Sequence, residues 1–355
     1  MFDVAVIGAG MAGLSCAQRL RQAGYSVAVV EKSRGAGGRV ATRRVQGTRA
    51  DHGARYLEPQ GDAVQRLIEA LVDRHILKLW TDCLWEFRQG KLSAILSSCY
   101  VAPAGMNAVG KYLAEDLDIW YGRRVQAIST TDNQTWHLSL EVIDNNLDIP
   151  QELIAKAVVV AIPAPQALMF LNSEIGFKSD FLDKLRSVEY DPCISAMAGY
   201  PAAKQQDLSN LNPQWKSVSF PHNSDLAWIG WDSSKRIDPQ QPVFVVHSSA
   251  NFADRYLESA DLPTVGQELL DRTSEYLMPW LKQPEWLQVH RWRYAFCRNP
   301  LPVSCLVAEG TLPLVCAGDL CGEGQIEAAL RSGLAAANWV NSQLQDLPLD
   351  SSLNW

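Results

Sequence analysis

Gly8-Ala9-Gly10-Met11-Ala12-Gly13 stands where a short apolar strand pattern, Phe2 to Ile7, gives way to a helical one, Met11 to Ala23. A second apolar run, Ser26 to Glu31, follows and closes a strand–helix–strand unit. At this junction each glycine has a separate reason. The first permits the tight turn, the second lets a pyrophosphate approach the backbone, and the third lets helix and strand pack closely. The amino end of the helix then offers free N–H groups and a partial positive charge to phosphate. Glu31 ends the second strand, placed to accept hydrogen bonds from adenosine ribose hydroxyls. A 2′-phosphate would meet its negative charge, so the pattern predicts a dinucleotide site that disfavours NADP.

The rest of the composition narrows the partners. A chain of 355 residues, 47% apolar, is long enough for two lobes, and its formal charge of −7 with scattered Lys and Arg predicts no nucleic-acid partner. Eight cysteines without a CxxC pair, and six histidines not clustered beside them, predict no metal site and a reducing compartment. Met1 leads directly into the first strand pattern without a basic leader, and no window approaches the roughly eighteen uninterrupted apolar residues of a membrane span. A cytoplasmic protein without a membrane partner is expected.

Beyond Glu31, the Arg- and Gly-rich stretch Arg34 to Arg44 reads as a loop at the ligand. A helix is predicted from Gly61 to His75, then alternating strands from Leu79 to Val101, a helix from Gly105 to Leu117, and strands at Arg124 to Ile128, Trp136 to Val142 and Ala157 to Ile162. From Pro165 to Pro300 the texture turns to aromatics, prolines and alternating strands such as Ala227 to Trp231 and Val243 to Ser248. A final apolar strand, Leu314 to Ala317, runs into Gly318-Asp319 and a helix from about Gln325 to Val340. The expected class is α/β: a Rossmann-like dinucleotide domain (residues 1–72, 105–165 and 300–342) carrying an inserted antiparallel-sheet substrate domain of α+β character (residues 73–104 and 166–299).

Three further segments, Arg34-Gly35-Ala36-Gly37-Gly38-Arg39-Val40-Ala41-Thr42, Asp51-His52-Gly53-Ala54 and Gly318-Asp319 with Ile326-Glu327-Ala328-Ala329, resemble the motif set of the amine-oxidase-like FAD superfamily. The resemblance implies non-covalent FAD. It implies cofactor contacts at Gly8, Gly10, Met11, Ala12, Gly13, Glu31 and Lys32, at Gly37, Gly38 and Arg39, at Gly53, Ala54 and Arg55, at Val125, and at Gly318, Asp319, Ile326 and Glu327. The helix starting near Ile326 would point its positive end at the flavin pyrimidine, favouring the reduced ring. Covalent attachment is not expected, because Cys297 and Cys305 lack the surrounding pattern of tethered enzymes.

Val245-Val246-His247 with Phe252 and Tyr256-Leu257-Glu258, Gly105-Met106, and His290-Arg291-Trp292-Arg293-Tyr294 resemble renalase over nearly the whole chain. That likeness implies an oxidase of reduced nicotinamide dinucleotides, NAD(P)H or its 2- and 6-dihydro isomers, with O2 as acceptor and with His247, Trp292 and Arg293 near the substrate. Hydride transfer from a dihydropyridine needs positioning rather than acid–base chemistry, in keeping with the lack of a triad or carboxylate pair. Trp228 and Trp231 join Trp292 as candidate aromatic walls. His52 departs from the motif, where an apolar residue is more usual. A flavin amine oxidase and a non-catalytic scaffold of the same fold remain the alternatives.

Overall fold

The computed structural model describes residues 1–143, 150–172, 175–310 and 312–349. Its first lobe is built on an eight-stranded sheet. Five strands run parallel in the order Leu314–Cys316, Glu152–Val160, Phe2–Ile7, Val27–Glu31, Asp118–Tyr121. The inner ones are near-continuous runs of Val and Ala, as a sheet covered on both faces requires. On one face lie the helices Met11–Gln22 and Ile326–Gln343, which meet so closely that a Cβ at Gly333 would stand 2.2 Å from the Ala12 carbonyl oxygen. The other face is closed by a second apolar cluster, to which the helix Ser179–Ser187 contributes Phe181, Leu182 and Leu185. The chain therefore crosses to the second lobe at Tyr190, later than the expected boundary at 166, because an amphipathic helix still covers the first sheet.

The second lobe is a seven-stranded sheet in the order Trp286–Cys297, Tyr190–Gly199, Val243–Ser248, Leu226–Trp231, Ser217–Ser219, Lys78–Arg88, Lys91–Val101. Strand alternation divides its residues cleanly. Ile194, Ala196, Phe244 and Val246 pack with Leu269 and Leu270 of the helix Leu262–Tyr276, while Met197, Val243 and Val245 join the core of the first lobe.

A buried charge network ties the lobes together. Asp51, from the ribbon Thr42–Val45/Thr48–Asp51, lies 3.3 Å from Lys235 Nζ and 2.8 Å from Arg236 Nη2, and Asp232 lies 2.8 and 2.6 Å from the same two groups. Burial would raise the Asp51 carboxyl. The charges of Lys235 and Arg236, with hydrogen bonds from Thr42 and the Met106 amide, overcome that and hold it below the ordinary aspartate range.

Candidate active site

The glycine loop has the geometry its spacing predicts. Gly8 adopts φ +104°, and a Cβ there would stand 2.6 Å from the Ala161 carbonyl oxygen; one at Gly13 would stand 1.9 Å from the Gly8 oxygen. A Cβ at Gly10 meets nothing within 4 Å, so the space beside the middle glycine is open where the backbone must admit a phosphate. Glu31 is buried. Its Oε2 accepts from the Ala9 amide at 2.8 Å and its Oε1 from the Ser33 amide at 2.7 Å, so it pins the loop while keeping lone pairs for a ribose. The loop is also clasped by the double glycine: the Gly37 amide donates to the Ala9 oxygen at 2.7 Å. This cradle fits an ADP moiety. Gly8, Gly10, Gly13 and Glu31 would hold it, with Met11 and Ala12 opening the helix beside them.

Arg39 and Asp319 join two distant segments. The guanidinium makes a bidentate pair with the carboxylate, at 2.6 and 2.7 Å, and also donates to the Ala295 oxygen. Gly53 fits against this corner only because it lacks a side chain, since a Cβ would stand 1.9 Å from the Arg39 oxygen. The Ala54 amide donates to that same oxygen at 2.9 Å. Gly318 places its amide 3.0 Å from Ser332 Oγ. Two expected contacts take other roles. Glu327 accepts from the amides of Ala63 and Val64 and so caps the helix Asp62–Asp73, because that helix starts at Gly61 without a side-chain cap of its own. Val125 buries its side chain with Ile7, Ala28 and Val30, leaving only its backbone to meet a ligand. Lys32 is exposed beside Glu31, and Ile326 is half-buried at the start of its helix.

Four adjacent strands of the second sheet then bring Trp228, His247, Ser195 and His290 into one cross-strand row, because each is paired in register with the next. Trp292 stands beside His290 on the same face, paired with Cys193. Trp292 Nε1 donates to the His52 carbonyl at 2.8 Å, and its ring stacks on His52 with centroids 5.4 Å apart. His290 meets both rings edge-on, at 4.7 and 4.4 Å. The row thus abuts the Gly53-Ala54 segment of the first lobe.

His247 receives a hydrogen bond at Nδ1 from Arg55 Nε at 3.3 Å, so the neutral ring carries its proton on Nε2. That Nε2, Trp228 Nε1 and Ser195 Oγ are buried without a hydrogen-bond partner. Arg55 also lies over the Trp228 ring, 5.0 Å from its centroid. Burial, reinforced by Arg55 and Lys235, pushes the His247 imidazole well below its ordinary value. Burial, His290 and Arg43 lower His52 to about 3; burial, Arg43 and Arg291 lower His290 to about 4. Both rings are neutral in the folded protein near neutrality. An unfolded histidine protonates near 6.5, so their contribution to stability is complete above that pH and is lost as pH falls towards 4. For His52 the expected slope is about 1.4 kcal/mol per pH unit in that window. Denaturant unfolding across it should show the loss, and His52→Phe should reduce it.

Arg293 is not part of this arrangement. On the strand Trp286–Cys297 it alternates to the far face, where it is exposed and pairs with Glu258 at 2.5 Å. Trp231 likewise turns from the row, its Nε1 donating to Ser233 Oγ at 2.9 Å. Sequence reasoning missed Ser195, His290, Arg43 and the Asp51–Lys235 network. His290 was detectable, being two residues from Trp292 on one strand; the others depend on register between distant strands.

A glycine-loop lobe paired with an antiparallel sheet whose polar row meets it defines a two-lobed flavoprotein oxidoreductase, and FAD is its cofactor. The chain belongs to the flavin-containing amine oxidoreductase family, whose model matches residues 72–341; residues 6–71 match an NAD(P)-binding Rossmann-like domain. A stretch of 69 residues, 19% of the chain, is 45% identical to a Mycobacterium tuberculosis protein carrying the name flavin-containing monoamine oxidase AofH. Another of 103 residues, 29% of the chain, is 36% identical to putrescine oxidase of Kocuria rosea. These matches span 15% and 19% of the relatives' own lengths. Solved structures share the fold over nearly all of the chain: putrescine oxidase bound to putrescine (TM-score 0.71, 15% identity, 96% of this chain and 99% of that one) and cyclohexylamine oxidase of Brevibacterium oxydans (0.68, 13%, 97% and 99%). No helix among the described residues is long and apolar enough to cross a membrane, no His/Cys/Asp/Glu group there could hold a metal, and the eight cysteines are free.

Proposed function

We propose that the protein is an oxidase of reduced nicotinamide dinucleotides, NAD(P)H or its 2- and 6-dihydro isomers, with O2 as electron acceptor and non-covalent FAD. The observation that carries this reading is the row Trp228–His247–Ser195–His290 with Trp292: aromatic and imidazole groups, neutral, with no carboxylate among them. Bound flavin would supply the two-electron acceptor, taking hydride from the donor and passing both electrons to O2, which leaves with two protons as peroxide. The protein's own task is to hold a planar ring. Trp292 offers a ring to stack against, while Arg55, His247 Nε2–H and Trp228 Nε1–H offer donors to a carboxamide oxygen. Non-covalent binding fits the Cys297 thiol beside Arg39 and Asp319, pushed up to about 11 by burial and the Asp319 charge and therefore a poor nucleophile.

Amine oxidation is the reading that the relatives' names favour. An alkylammonium ion would meet the like charge of Arg55 in this row, whereas a neutral dihydropyridine ring would not. Oxygen uptake and peroxide release, measured with NADH, NADPH, their 2- and 6-dihydro isomers, putrescine and cyclohexylamine, distinguish the two. Turnover with one or more dihydronicotinamides and none with amines is expected. Turnover with amines alone would overturn the proposal.

A further inference from the structure

One cation beside the row has no counterpart. Arg43 sits on the ribbon Thr42–Val45/Thr48–Asp51, paired with Ala50. Strand alternation therefore puts it on the opposite face from Thr42 and Asp51, which are committed to each other and to the interlobe network. Arg43 makes no hydrogen bond or ion pair among the described residues, and its Nε is buried without a partner although the residue is only half-buried. Its charge acts on both His52 and His290, the two imidazoles that stack around Trp292. Asp51, the carboxylate whose charge also reaches His52, is already shared by Lys235, Arg236, Thr42 and the Met106 amide. A guanidinium with a buried, unsatisfied N–H costs free energy that only an acceptor can return.

We propose that Arg43, with His52 and His290 beside it, forms an oxyanion subsite at the edge of the substrate row, so that the reducing substrate carries a phosphate or carboxylate group. The planar fork of arginine suits either group in a bidentate pair. Neutral imidazoles at its flank add hydrogen-bonding capacity without competing for the anion as a carboxylate would. The subsite deepens the dihydronicotinamide reading, because a dinucleotide brings phosphates, but it does not depend on it: any donor selected here carries an anion.

The test uses FAD-loaded, oxidised protein titrated at constant ionic strength with inorganic pyrophosphate and, separately, benzoate, followed by flavin absorbance and tryptophan fluorescence. Saturable binding of at least one probe is expected, weakened roughly ten- to a hundred-fold in Arg43→Ala and partly restored in Arg43→Lys. Pyrophosphate binding assigns a phosphate, benzoate binding a carboxylate. Arg44→Ala, on the same ribbon but its other face, should bind the probes as the wild type does. FAD content should be the same in all of these proteins. Binding of neither probe, equal binding by wild type and Arg43→Ala, or loss of FAD from Arg43→Ala, which would give the cation to the cofactor's own phosphates, would each overturn the proposal. Because no electron donor is used, these outcomes stand apart from success or failure of the dihydronicotinamide assay.

Discussion

Gly10→Val is expected to give a folded protein that has lost its flavin. The middle glycine has ordinary negative φ, −81°, and open space where a side chain would begin, so the Cβ of valine neither strains the backbone nor strikes the protein. It fills instead the volume through which a pyrophosphate must approach the amides of the loop. Charge-assisted hydrogen bonds of this kind are worth about 1.5–3 kcal/mol each, so losing two of them weakens FAD binding by roughly two to four orders of magnitude. Flavin absorbance per chain, read against the thermal melt of the apoprotein, checks this. Gly13→Val provides the contrast. Its first side-chain carbon would collide with the Gly8 oxygen, so that variant is expected to lose the fold as well as the flavin. Gly10→Val protein carrying full flavin would refute the placement of the dinucleotide.

The second large effect is expected at Lys235. Its ammonium group is fully buried, donates to the Arg55 oxygen at 2.8 Å and lies between Asp51 and Asp232. Lys235→Met leaves two buried carboxylates facing one guanidinium. Removal of one partner from a buried charge network costs about 3–5 kcal/mol, far more than an exposed pair. The pH dependence should invert. In the wild type the depressed Asp51 contributes stability that is present above the unfolded aspartate value, near 4, and is lost as pH falls below it. In Lys235→Met one carboxyl is left short of positive charge, its folded value rises, and protonation relieves it. The deficit against wild type should therefore narrow as pH falls from neutrality towards 5, as denaturant unfolding of the holoprotein at each pH would show. A constant deficit would mean that lost packing, not charge, dominates.

The first lobe was legible in the sequence because its determinants are local. Gly8, Gly10 and Gly13 lie within a few residues of the strand and helix they join, and Glu31 ends the next strand. Gly53 and Asp319 were legible only through a family motif, since what requires them, the Arg39 backbone and guanidinium, is far off in the chain. The substrate face was harder. His247 and Trp292 share the face of the row, whereas Arg293, implied with them by the renalase resemblance, lies on the far face because a strand sends neighbouring side chains to opposite sides. Ser195 carries no local signal and Arg43 only its place in the Arg- and Gly-rich stretch; register aligns Ser195 with His247 and His290, and alternation turns Arg43 away from Asp51. The carboxylate of Glu327, a residue of a cofactor motif, is engaged by a neighbouring helix that lacks a cap of its own, a partnership between distant segments that no local pattern carries.

The central claim is that electrons enter from a dihydronicotinamide held against the polar row. Anaerobic rapid mixing of the yellow holoprotein with each dihydronicotinamide isomer, watching the flavin bleach in a single turnover, tests it most directly. Saturable bleaching by at least one isomer is expected, slowed in His247→Ala, whose FAD content stays intact because its strand belongs to the second sheet and the glycine loop to the first. Wild-type flavin that stays oxidised with every isomer but bleaches with putrescine or cyclohexylamine would contradict it.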